Sequence, residues 1–343
     1  MDQDLKTSAV KAAAANPLLV EVQRGDMVES RHRAAYAVVN SDGKVMLQSG
    51  DIERPIYPRS AIKPLQALAL VETGAAEAFG LGDAEIALAC ASHIGEACHT
   101  ETVAAWLARI GCTPADLECG PHLPYDEAAM VALLRAGGDA GAIHNNCSGK
   151  HSGFLTVARH LGVPTKGYIN YNHPVQQRVL GILESMTGLD LGNAPRAIDG
   201  CSIPTIGVPL GNVALAMARL ANPSDQPEHR RAAALRIRKA MAAQPVMVAG
   251  TGHFCTRVLQ VTGERAAVKA GAEGVYSAAI PELGLGIALK VDDGAARAAE
   301  VLLARLLVRL KVLSDADFAR LNEPLLNRAG RVVGGLEMTG HAF

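Results

Sequence analysis

Ser60 and Lys63 are the first pair of residues in this sequence whose types and spacing permit covalent chemistry. Residues three apart on a helix share a face, so a neutral Lys63 amine can take the Ser60 proton and create an alkoxide-like nucleophile. Pro64 lacks a backbone N–H and is tolerated only in a first helical turn, which predicts a helix start at or just after Ser60. The positive end of the helix dipole would favour an oxyanion there. On local sequence alone, Ser60 can equally be a helix cap and Lys63 a solvated lysine.

The Ser-x-x-Lys spacing is not specific by itself, because it also occurs at Ser8 to Lys11 and at Ser41 to Lys44. The second of these lies in a predicted hairpin turn, Asn40-Ser41-Asp42-Gly43. Position at a helix start therefore distinguishes the pair at Ser60.

A second hydroxyl follows an apolar helical run, in the segment Cys90-Ala91-Ser92-His93-Ile94-Gly95-Glu96. In serine–lysine hydrolases a second serine relays a proton to the leaving amine, and Ser92 is predicted to take that part. The alternative is that Ser92 and Glu96 only cap the two neighbouring helices.

A second lysine stands in Lys269-Ala270-Gly271, just before a predicted strand rich in Val, Tyr and Ala. This segment resembles the Lys-Thr-Gly strand motif of serine β-lactamases and penicillin-binding proteins, in which the lysine helps to polarise the second serine. Lys290 on the next predicted strand is an alternative for the second lysine. The order along the chain predicts a catalytic set of Ser60, Lys63, Ser92 and Lys269.

The densest polar run in the chain is His144-Asn145-Asn146-Cys147-Ser148-Gly149-Lys150-His151-Ser152-Gly153. It is not a phosphate-binding loop, because His144 stands where the first glycine belongs and Lys150 is followed by His151. Two amides, two histidines and a lysine at a glycine turn suit the carboxylate and side chain of an amino acid. An ordinary surface loop is the alternative.

Metal binding is a further possibility for this run, with Cys147, Lys150 and Cys201 meeting on one zinc ion. The spacing alone is poor support, because Cys-x-x-Lys is not a standard ligand pair and lysine must lose its proton to bind. Asp199, among Gly200, Ser202 and Pro204, can bind a substrate ammonium. It can also be no more than a turn-forming aspartate.

The elements that must position these residues are strands at both ends of the chain and helices between them. Predicted strands are 18–22, 33–39, 44–48, 257–261, 275–279 and 286–291, and predicted helices are 61–71, 100–110, 127–134, 153–161, 174–187, 229–243 and 295–313. This order predicts an α/β (α+β) fold with one mostly antiparallel sheet built from both ends and helices packed beside it, with the site at the seam. We expect residues 1–343 to be one catalytic unit, with a sheet subdomain (17–58 and 255–343) and a mainly helical one (59–254).

Composition excludes several classes of function. The 33 basic and 34 acidic residues nearly cancel, which argues against a nucleic-acid or anionic-membrane partner. Seven scattered cysteines indicate reduced thiols rather than a secreted disulfide framework. No unbroken apolar stretch stands at the N-terminus, and glycines and prolines interrupt the uncharged run 200–218, so we expect a cytoplasmic protein without membrane spans.

Taken together, four motifs resemble the L-asparaginase II family of the rhizobial type. They are Arg59-Ser60-x-x-Lys63-Pro64-x-Gln66, Cys90-x-Ser92-His93-x-Gly95-Glu96, the run His144 to His151, and Asp199-Gly200-Cys201. The resemblance extends from Glu29-Ser30-Arg31-His32-Arg33 to Lys269-Ala270-Gly271-Ala272-Glu273-Gly274. It implies a fold like that of serine β-lactamases and glutaminases, and a homodimer.

The resemblance also implies residue roles. Ser60 with Lys63 and Ser92 with Lys269 would be two catalytic tandems, and Cys147, Lys150 and Cys201 would bind zinc that supports substrate affinity rather than the chemical step. The resemblance implies that Arg59, His151 and Asp199 lie in the substrate site, and we predict His93 and Asn146 as further substrate-binding residues. No organic cofactor is expected.

The sequence thus predicts an L-asparaginase that acts through an acyl-enzyme on Ser60 and releases L-aspartate and ammonia. A glutaminase or other small-amide hydrolase is the nearest alternative, because one methylene changes discrimination by only ~1–3 kcal/mol. A zinc-binding amino-acid sensor without catalysis is an alternative from a different class.

Overall fold

The structure is a computed structural model that describes residues 15–340. The Ser8-x-x-Lys11 pattern and the N-terminal stretch considered for export lie outside the described residues. Among residues 15–340, no helix is both long and apolar enough to cross a lipid bilayer.

The strands of the main sheet come from both ends of the chain, as the sequence predicts, whereas three short strands between Arg196 and Pro209 lie in its middle and were not predicted. In chain order, the strands are β1 (Leu18–Arg24), β2 (Met27–Asn40), β3 (Val45–Ser49), β4 (Pro55–Ile56), β5 (Arg196–Ile198), β6 (Pro204–Ile206), β7 (Val208–Pro209), β8 (Ala267–Gly271), β9 (Val275–Ile280), β10 (Leu285–Val291), β11 (Leu325–Leu326) and β12 (Val332–Met338).

Helices occupy the middle of the chain and follow the late strands. They are α1 (Lys63–Gln66), α2 (Leu68–Glu72), α3 (Ala75–Ala78), α4 (Asp83–Ala89), α5 (Ala97–Arg109), α6 (Glu127–Arg135), α7 (Ser148–Leu161), α8 (Pro174–Thr187), α9 (Leu210–Ala221), α10 (Glu228–Ala243), α11 (Pro245–Ala249), α12 (Phe254–Thr262), α13 (Ala296–Arg309) and α14 (Asp315–Leu321). Short 3₁₀ turns lie at Arg59–Ile62, Pro114–Asp116, Ala142–His144, Gly263–Arg265 and Pro281–Leu283.

The main sheet has eight strands in the order β11-β12-β1-β2-β10-β9-β8, with β3 also paired to β2. Every pairing in this sheet is antiparallel. The long strand β2 joins its two halves, because residues up to Arg33 pair with β1 and residues from Ala34 pair with β10. These observations confirm the predicted fold class of a mostly antiparallel sheet completed from both ends.

The core lies where helices cover the second half of the sheet. Consecutive residues of β10 from Leu285 to Leu289 are buried, which means that both faces of the strand are covered. Helix α9 packs on β10, β2 and β9, and α13 packs on β10, β9, β1 and β12. The sheet is therefore a buried platform against which the helical region can place its functional groups.

One predicted strand is wrong. Residues 257–261 belong to the helix α12, although Val258, Leu259 and Val261 are good strand formers. The buried residues Phe254, Cys255, Val258, Leu259 and Thr262 follow helical spacing, which becomes visible only over a window longer than five residues.

Candidate active site

Ser60 lies in the short 3₁₀ turn with which the helical region begins, close to the start that Pro64 predicts. The 3₁₀ turn Arg59–Ile62 leads directly into α1, and Pro64 lies in the first turn of that helix. Arg59 has a φ of 51°, a backbone conformation that non-glycine residues adopt only when their surroundings hold them there. The half-buried Ser60 side chain lines a cleft, whereas Lys63 is buried.

Lys63 contacts the second serine rather than the first. Its Nζ lies 3.0 Å from Ser92 Oγ and 3.1 Å from Cys147 Sγ, and it donates a hydrogen bond to the Ala91 carbonyl. None of the hydrogen bonds among residues 15–340 joins Ser60 Oγ to Lys63 Nζ. The Ser60 hydroxyl thus faces the cleft without a protein partner in the described structure.

Lys269 completes the cluster from the sheet. It lies on β8, is fully buried, and its Nζ lies 2.9 Å from Ser92 Oγ and 2.8 Å from the Ala270 carbonyl oxygen. Burial, and then the nearby charge of Lys63, lower the pKa of Lys269 to about 8. Ser92 is therefore a hydroxyl shared by two buried lysines, at the seam between helices and sheet.

Lys290, the alternative second lysine, does not join this cluster. Its Nζ donates to the Val291 carbonyl, and the residue lines a separate cleft with Glu273 and Asp292. The structure places Lys269 against Ser92.

A narrow cleft that opens to solvent lies beside Ser60. It is bounded by polar groups at one end and by aliphatic side chains of α8 at the other. Its lining comprises Arg59, Ser60, Ile62, Lys63, Gln66, Lys150, Tyr171, Gln176, Val179, Leu180, Leu183, Asp199, Ile203, Pro204, Thr205 and Ile206. Ser92 and Lys269 do not line the cleft, but Ser92 contacts Lys63, which does.

Arg59 and Asp199 form an ion pair at this cleft. Arg59 Nε and Nη2 donate to the same oxygen, Asp199 Oδ1, at 2.9 and 2.6 Å. The Gly200 N–H also donates to Oδ1, at 2.7 Å. Burial alone would raise the pKa of Asp199, but Arg59, the charge of Lys150 and the Gly200 N–H together lower it. Asp199 is thus a carboxylate at neutral pH, and its Oδ2 has no partner among the described residues.

Cys147, Lys150 and Cys201 come together in a buried group. Lys150 Nζ lies 2.9 Å from Cys201 Sγ. The pKa of Cys147 is lowered, first by a hydrogen bond from Cys201 and then by the charges of Lys150 and Lys63. These effects outweigh burial, which would raise it. The same hydrogen bond and burial raise the pKa of Cys201, so the pair shares one proton. Two sulfur donors and an amine fit a zinc ion, provided that binding releases the protons of Cys201 and Lys150.

The two predicted histidines are fully buried and bonded within the chain. His93 Nε2 lies 2.9 Å from Ser148 Oγ, and its Nδ1 accepts from the Gly95 N–H at 3.2 Å. His151 Nδ1 lies 2.7 Å from the Tyr168 hydroxyl oxygen, whereas its Nε2 has no partner within the part of the chain that the structure describes. Burial is the main cause that lowers the pKa of both rings, so both are neutral and neither lines the cleft.

Asn146 contributes through its backbone. Its N–H donates to His122 Nε2 at 2.8 Å and its carbonyl accepts from the His93 N–H at 3.1 Å. It thereby ties the polar run to the segment that bears Ser92.

The polar run 144–153 is not a surface loop. Only the part before Ser148 lies outside an α-helix. From Ser148 onward it forms the first turns of α7, and all residues from Cys147 to Gly153 are buried. Because these turns are polar, they lack the apolar spacing from which the helix start would be predicted.

Sequence reasoning missed other residues around the site. Tyr171 and Gln176 line the cleft, and the Tyr168 hydroxyl bonds His151. The segment Tyr168-Ile169-Asn170-Tyr171, two tyrosines and an amide beside a predicted helix, is the signal that could have identified them.

Comparison with solved structures finds distant similarity. A crystal structure of Mglu is 15% identical and has a TM-score of 0.42. The match covers 82% of this chain and 67% of the Mglu chain. A second Mglu structure, in 4.3 M NaCl, is 16% identical and has a TM-score of 0.44. The match covers 82% of this chain and 61% of the Mglu chain. A beta-lactamase from Mycobacterium bovis is 15% identical with coverages of 82% and 95% and a TM-score of 0.38. The chain thus spans about two thirds of the length of the Mglu chains.

Among curated proteins, none matches the sequence. A sequence model of one protein family, described as L-asparaginase II, matches residues 20–338. That range is nearly the whole chain and includes all four of the motifs from which the resemblance was drawn. The protein belongs to the L-asparaginase II family.

Proposed function

We propose that this protein is an L-asparaginase that hydrolyses the side-chain amide of L-asparagine to L-aspartate and ammonia. Membership of the L-asparaginase II family supports an amidohydrolase. The observation that carries the proposal is the Ser92 hydroxyl, held between the buried amines of Lys63 and Lys269 next to the cleft that Ser60 lines. This arrangement can remove a proton from one hydroxyl and deliver it to a leaving amine.

Ser60 is the nucleophile in this mechanism. Its hydroxyl lines the cleft and has no partner among the described residues, so it is free to meet a substrate carbonyl. It also stands at the start of a helical segment, where the positive end of the dipole favours a developing oxyanion. Ser92 does not line this cleft and is engaged by both lysines, which suits a relay.

The proton route runs from Ser60 through Lys63 and Ser92 toward Lys269. Lys63, which lines the cleft, draws the Ser60 proton as Ser60 Oγ attacks the side-chain amide carbon, and the proton passes through Ser92 to Lys269. It then returns through Ser92 and Lys63 to the leaving nitrogen as the C–N bond of the tetrahedral intermediate breaks. Ammonia departs and leaves an acyl-enzyme, which water hydrolyses to aspartate and free Ser60. The lowered pKa of Lys269 provides a neutral amine that can accept the proton at the end of this chain.

Arg59 and Asp199 would bind the backbone groups of the substrate amino acid. The free Oδ2 of Asp199 can accept from the substrate ammonium, while Arg59, already held through Nε and Nη2, has Nη1 available for the substrate carboxylate. Cys147, Lys150 and Cys201 would hold zinc, which when bound supplies positive charge beside the cleft and supports substrate affinity.

An Asp199→Asn variant is expected to raise KM for asparagine by roughly 10- to 100-fold, with a smaller effect on kcat. A charge-assisted hydrogen bond contributes about 1.5–3 kcal/mol, and the neutral amide cannot provide it. Steady-state kinetics of the variant and of Asp190→Asn, a surface aspartate outside the cleft, test this. An unchanged KM in Asp199→Asn would remove this residue from substrate binding.

The value of kcat/KM is expected to rise with pH and to reach half of its plateau near the pKa of about 8 assigned to Lys269. The protonated amine cannot accept a proton, so activity is low below this pH and full above it. The profile of kcat/KM from about pH 6 to about pH 10 tests this expectation. A kcat/KM profile that does not rise near the pKa of Lys269 would contradict the role of Lys269 as proton acceptor.

A stability measurement checks the same group independently. The folded-state pKa of Lys269, about 8, lies below the ordinary value of 10.5. Between these values the unfolded chain binds a proton that the folded chain does not, so the contribution of Lys269 to the free energy of unfolding increases as the pH rises. Lys269→Met should flatten that increase.

The central experiment compares ammonia release from L-asparagine and L-glutamine by the purified protein, with Ser60→Ala as the blank. Rapid release from asparagine that disappears in the blank supports the proposal, and faster release from glutamine would reassign the enzyme as a glutaminase. Stabilisation by either amino acid without ammonia release would indicate a sensor.

We also propose a cytoplasmic homodimer. All seven cysteines are free thiols, as a reducing compartment would maintain. Size-exclusion chromatography with light scattering tests the dimer, and a monomer mass at working concentration would refute it.

A further inference from the structure

A second cluster of metal-ligating side chains lies at the N-terminus of α5 and takes no part in the reaction proposed above. Glu96 directly precedes α5, and Cys98 and His99 lie in its first turn. A carboxylate oxygen of Glu96, Cys98 Sγ and a ring nitrogen of His99 all lie within 4.8 Å of one another. These three residues are called the α5 cluster below.

The His99 ring is oriented as a metal-binding histidine is. Its Nε2 lies 2.9 Å from the Val246 carbonyl oxygen, which can only accept, so Nε2 carries the proton and Nδ1 presents a lone pair. The residue is fully buried, and Nδ1 has no hydrogen-bond partner among residues 15–340. A backbone carbonyl that fixes the second ring nitrogen is the usual support of a histidine ligand.

The lone pair points toward another electron-rich atom. His99 Nδ1 lies 3.8 Å from Glu96 Oε2, a separation too long for a hydrogen bond. Burial outweighs the Val246 and Glu96 contacts and lowers the pKa of His99, so Nδ1 carries no proton at neutral pH and its lone pair repels the Glu96 oxygen. A cation bound between the two atoms would remove this repulsion.

The donor set suits zinc. A carboxylate oxygen, a thiolate and an imidazole nitrogen are common zinc ligands, and tetrahedral coordination brings ligand atoms to roughly 3.3–3.8 Å from one another. The Cys98 side chain is exposed, so it can move the remaining distance of about 1 Å and leave a fourth position for water. Burial and the Glu96 charge raise the pKa of Cys98, and a bound metal would displace the thiol proton.

We propose that Glu96, Cys98 and His99 form a binding site for a zinc-type divalent cation, separate from the group formed by Cys147, Lys150 and Cys201. Glu96 Oε2 also accepts from the Thr251 N–H at 3.0 Å. The ion would therefore tie α5 to the loop that precedes α12 and to the segment between α4 and α5, which carries Ser92. Its part is structural, holding the relay serine against the two lysines.

Cobalt(II) substitution tests the site apart from catalysis, because a cobalt–thiolate bond gives a near-ultraviolet charge-transfer band. The starting protein is the Cys147→Ser/Cys201→Ser variant, which lacks both thiols of the other candidate metal group. After metal removal and loading with Co²⁺ alone, it is expected to retain one ion per chain and to show the band. Adding Cys98→Ser should abolish the band, and adding His99→Gln should release the ion. Adding Cys112→Ser, a cysteine outside both groups, should change neither.

The same comparison is also made in the chain that retains Cys147 and Cys201, so that the test does not depend on the folding of the Cys147→Ser/Cys201→Ser variant. Zinc content of Cys98→Ser, measured after loading and desalting, should be one ion per chain lower than that of Cys112→Ser. Equal zinc content in these two variants, or a cobalt band that survives Cys98→Ser, would overturn the proposal. Failure of the proposed asparaginase activity would leave this test unaffected, because the test measures the amount of bound metal and not the rate of reaction.

Discussion

Ser60→Ala is expected to lower kcat for asparagine hydrolysis by about 10⁴-fold or more, while the protein stays folded and still binds aspartate. Loss of a covalent nucleophile removes the acyl-enzyme route altogether, and its partners cannot compensate because they act as one unit with it. The half-buried Ser60 hydroxyl has no partner among the described residues, so its loss leaves no buried group unsatisfied. Ammonia release under saturating asparagine measures the effect, and thermal unfolding with and without aspartate verifies the fold and the binding.

Two serines serve as comparisons. Ser41→Ala alters the other described Ser-x-x-Lys spacing, in which Ser41 Oγ only accepts from Asn222 Nδ2 at 3.3 Å, and activity should stay near that of the unaltered protein. Ser92→Ala should slow turnover by less than Ser60→Ala, since water can carry a proton but cannot replace the nucleophile. If Ser92→Ala abolished an acyl-enzyme that Ser60→Ala still formed, the two roles would be reversed.

Lys63→Met is expected to lower kcat by about 10³-fold or more, with little change in the fold. The amine is the group that touches Ser92, Cys147 and the Ala91 carbonyl together, so its loss interrupts proton transfer at its centre. Methionine fills similar space without a charge that must be desolvated. Burst kinetics with a chromogenic amide or ester would show whether acylation is the step that fails.

Lys63→Arg separates charge from proton transfer in the same position. Arginine retains the positive charge but does not give up its proton in proteins. If Lys63 acts only as a charge, this variant should recover much of the activity; if it transfers protons, it should be as slow as Lys63→Met. Full activity in both variants would remove Lys63 from the mechanism.

Local sequence rules account for much of the fold. Pro64 places the start of the helical region at Ser60, and the turn around Asp42 joins β2 to β3, because these features depend on a few neighbouring residues. The prediction fails in residues 257–261, because two valines in a short window favour a strand whereas the buried residues of the whole segment Phe254–Thr262 follow helical spacing. It also fails for β12, which contains Gly334 and Gly335 and pairs with the distant strand β1.

The candidate site was only partly within reach of sequence reasoning. Residue types and chain order suggested that Ser92 and Lys269 cooperate, but the contact of Lys63 with Ser92 rather than Ser60 depends on how α1 packs against the segment after α4. Likewise, burial of His93 and His151 follows from tertiary packing and cannot be read from their polar neighbours. The motifs indicated which residues gather, and the packing determines which atoms meet.

The shared strand β2 has a consequence for how the chain folds as it is made. The ribosome releases β1, β2 and β3 before the helical region, whereas β10 and β12, which pair with β2 and β1, emerge after it. The nascent N-terminal strands therefore present open edges while the whole helical region is translated, and such edges promote association between chains. We expect that removal of β12, which leaves the edge of β1 unpaired, lowers the yield of folded protein through such association.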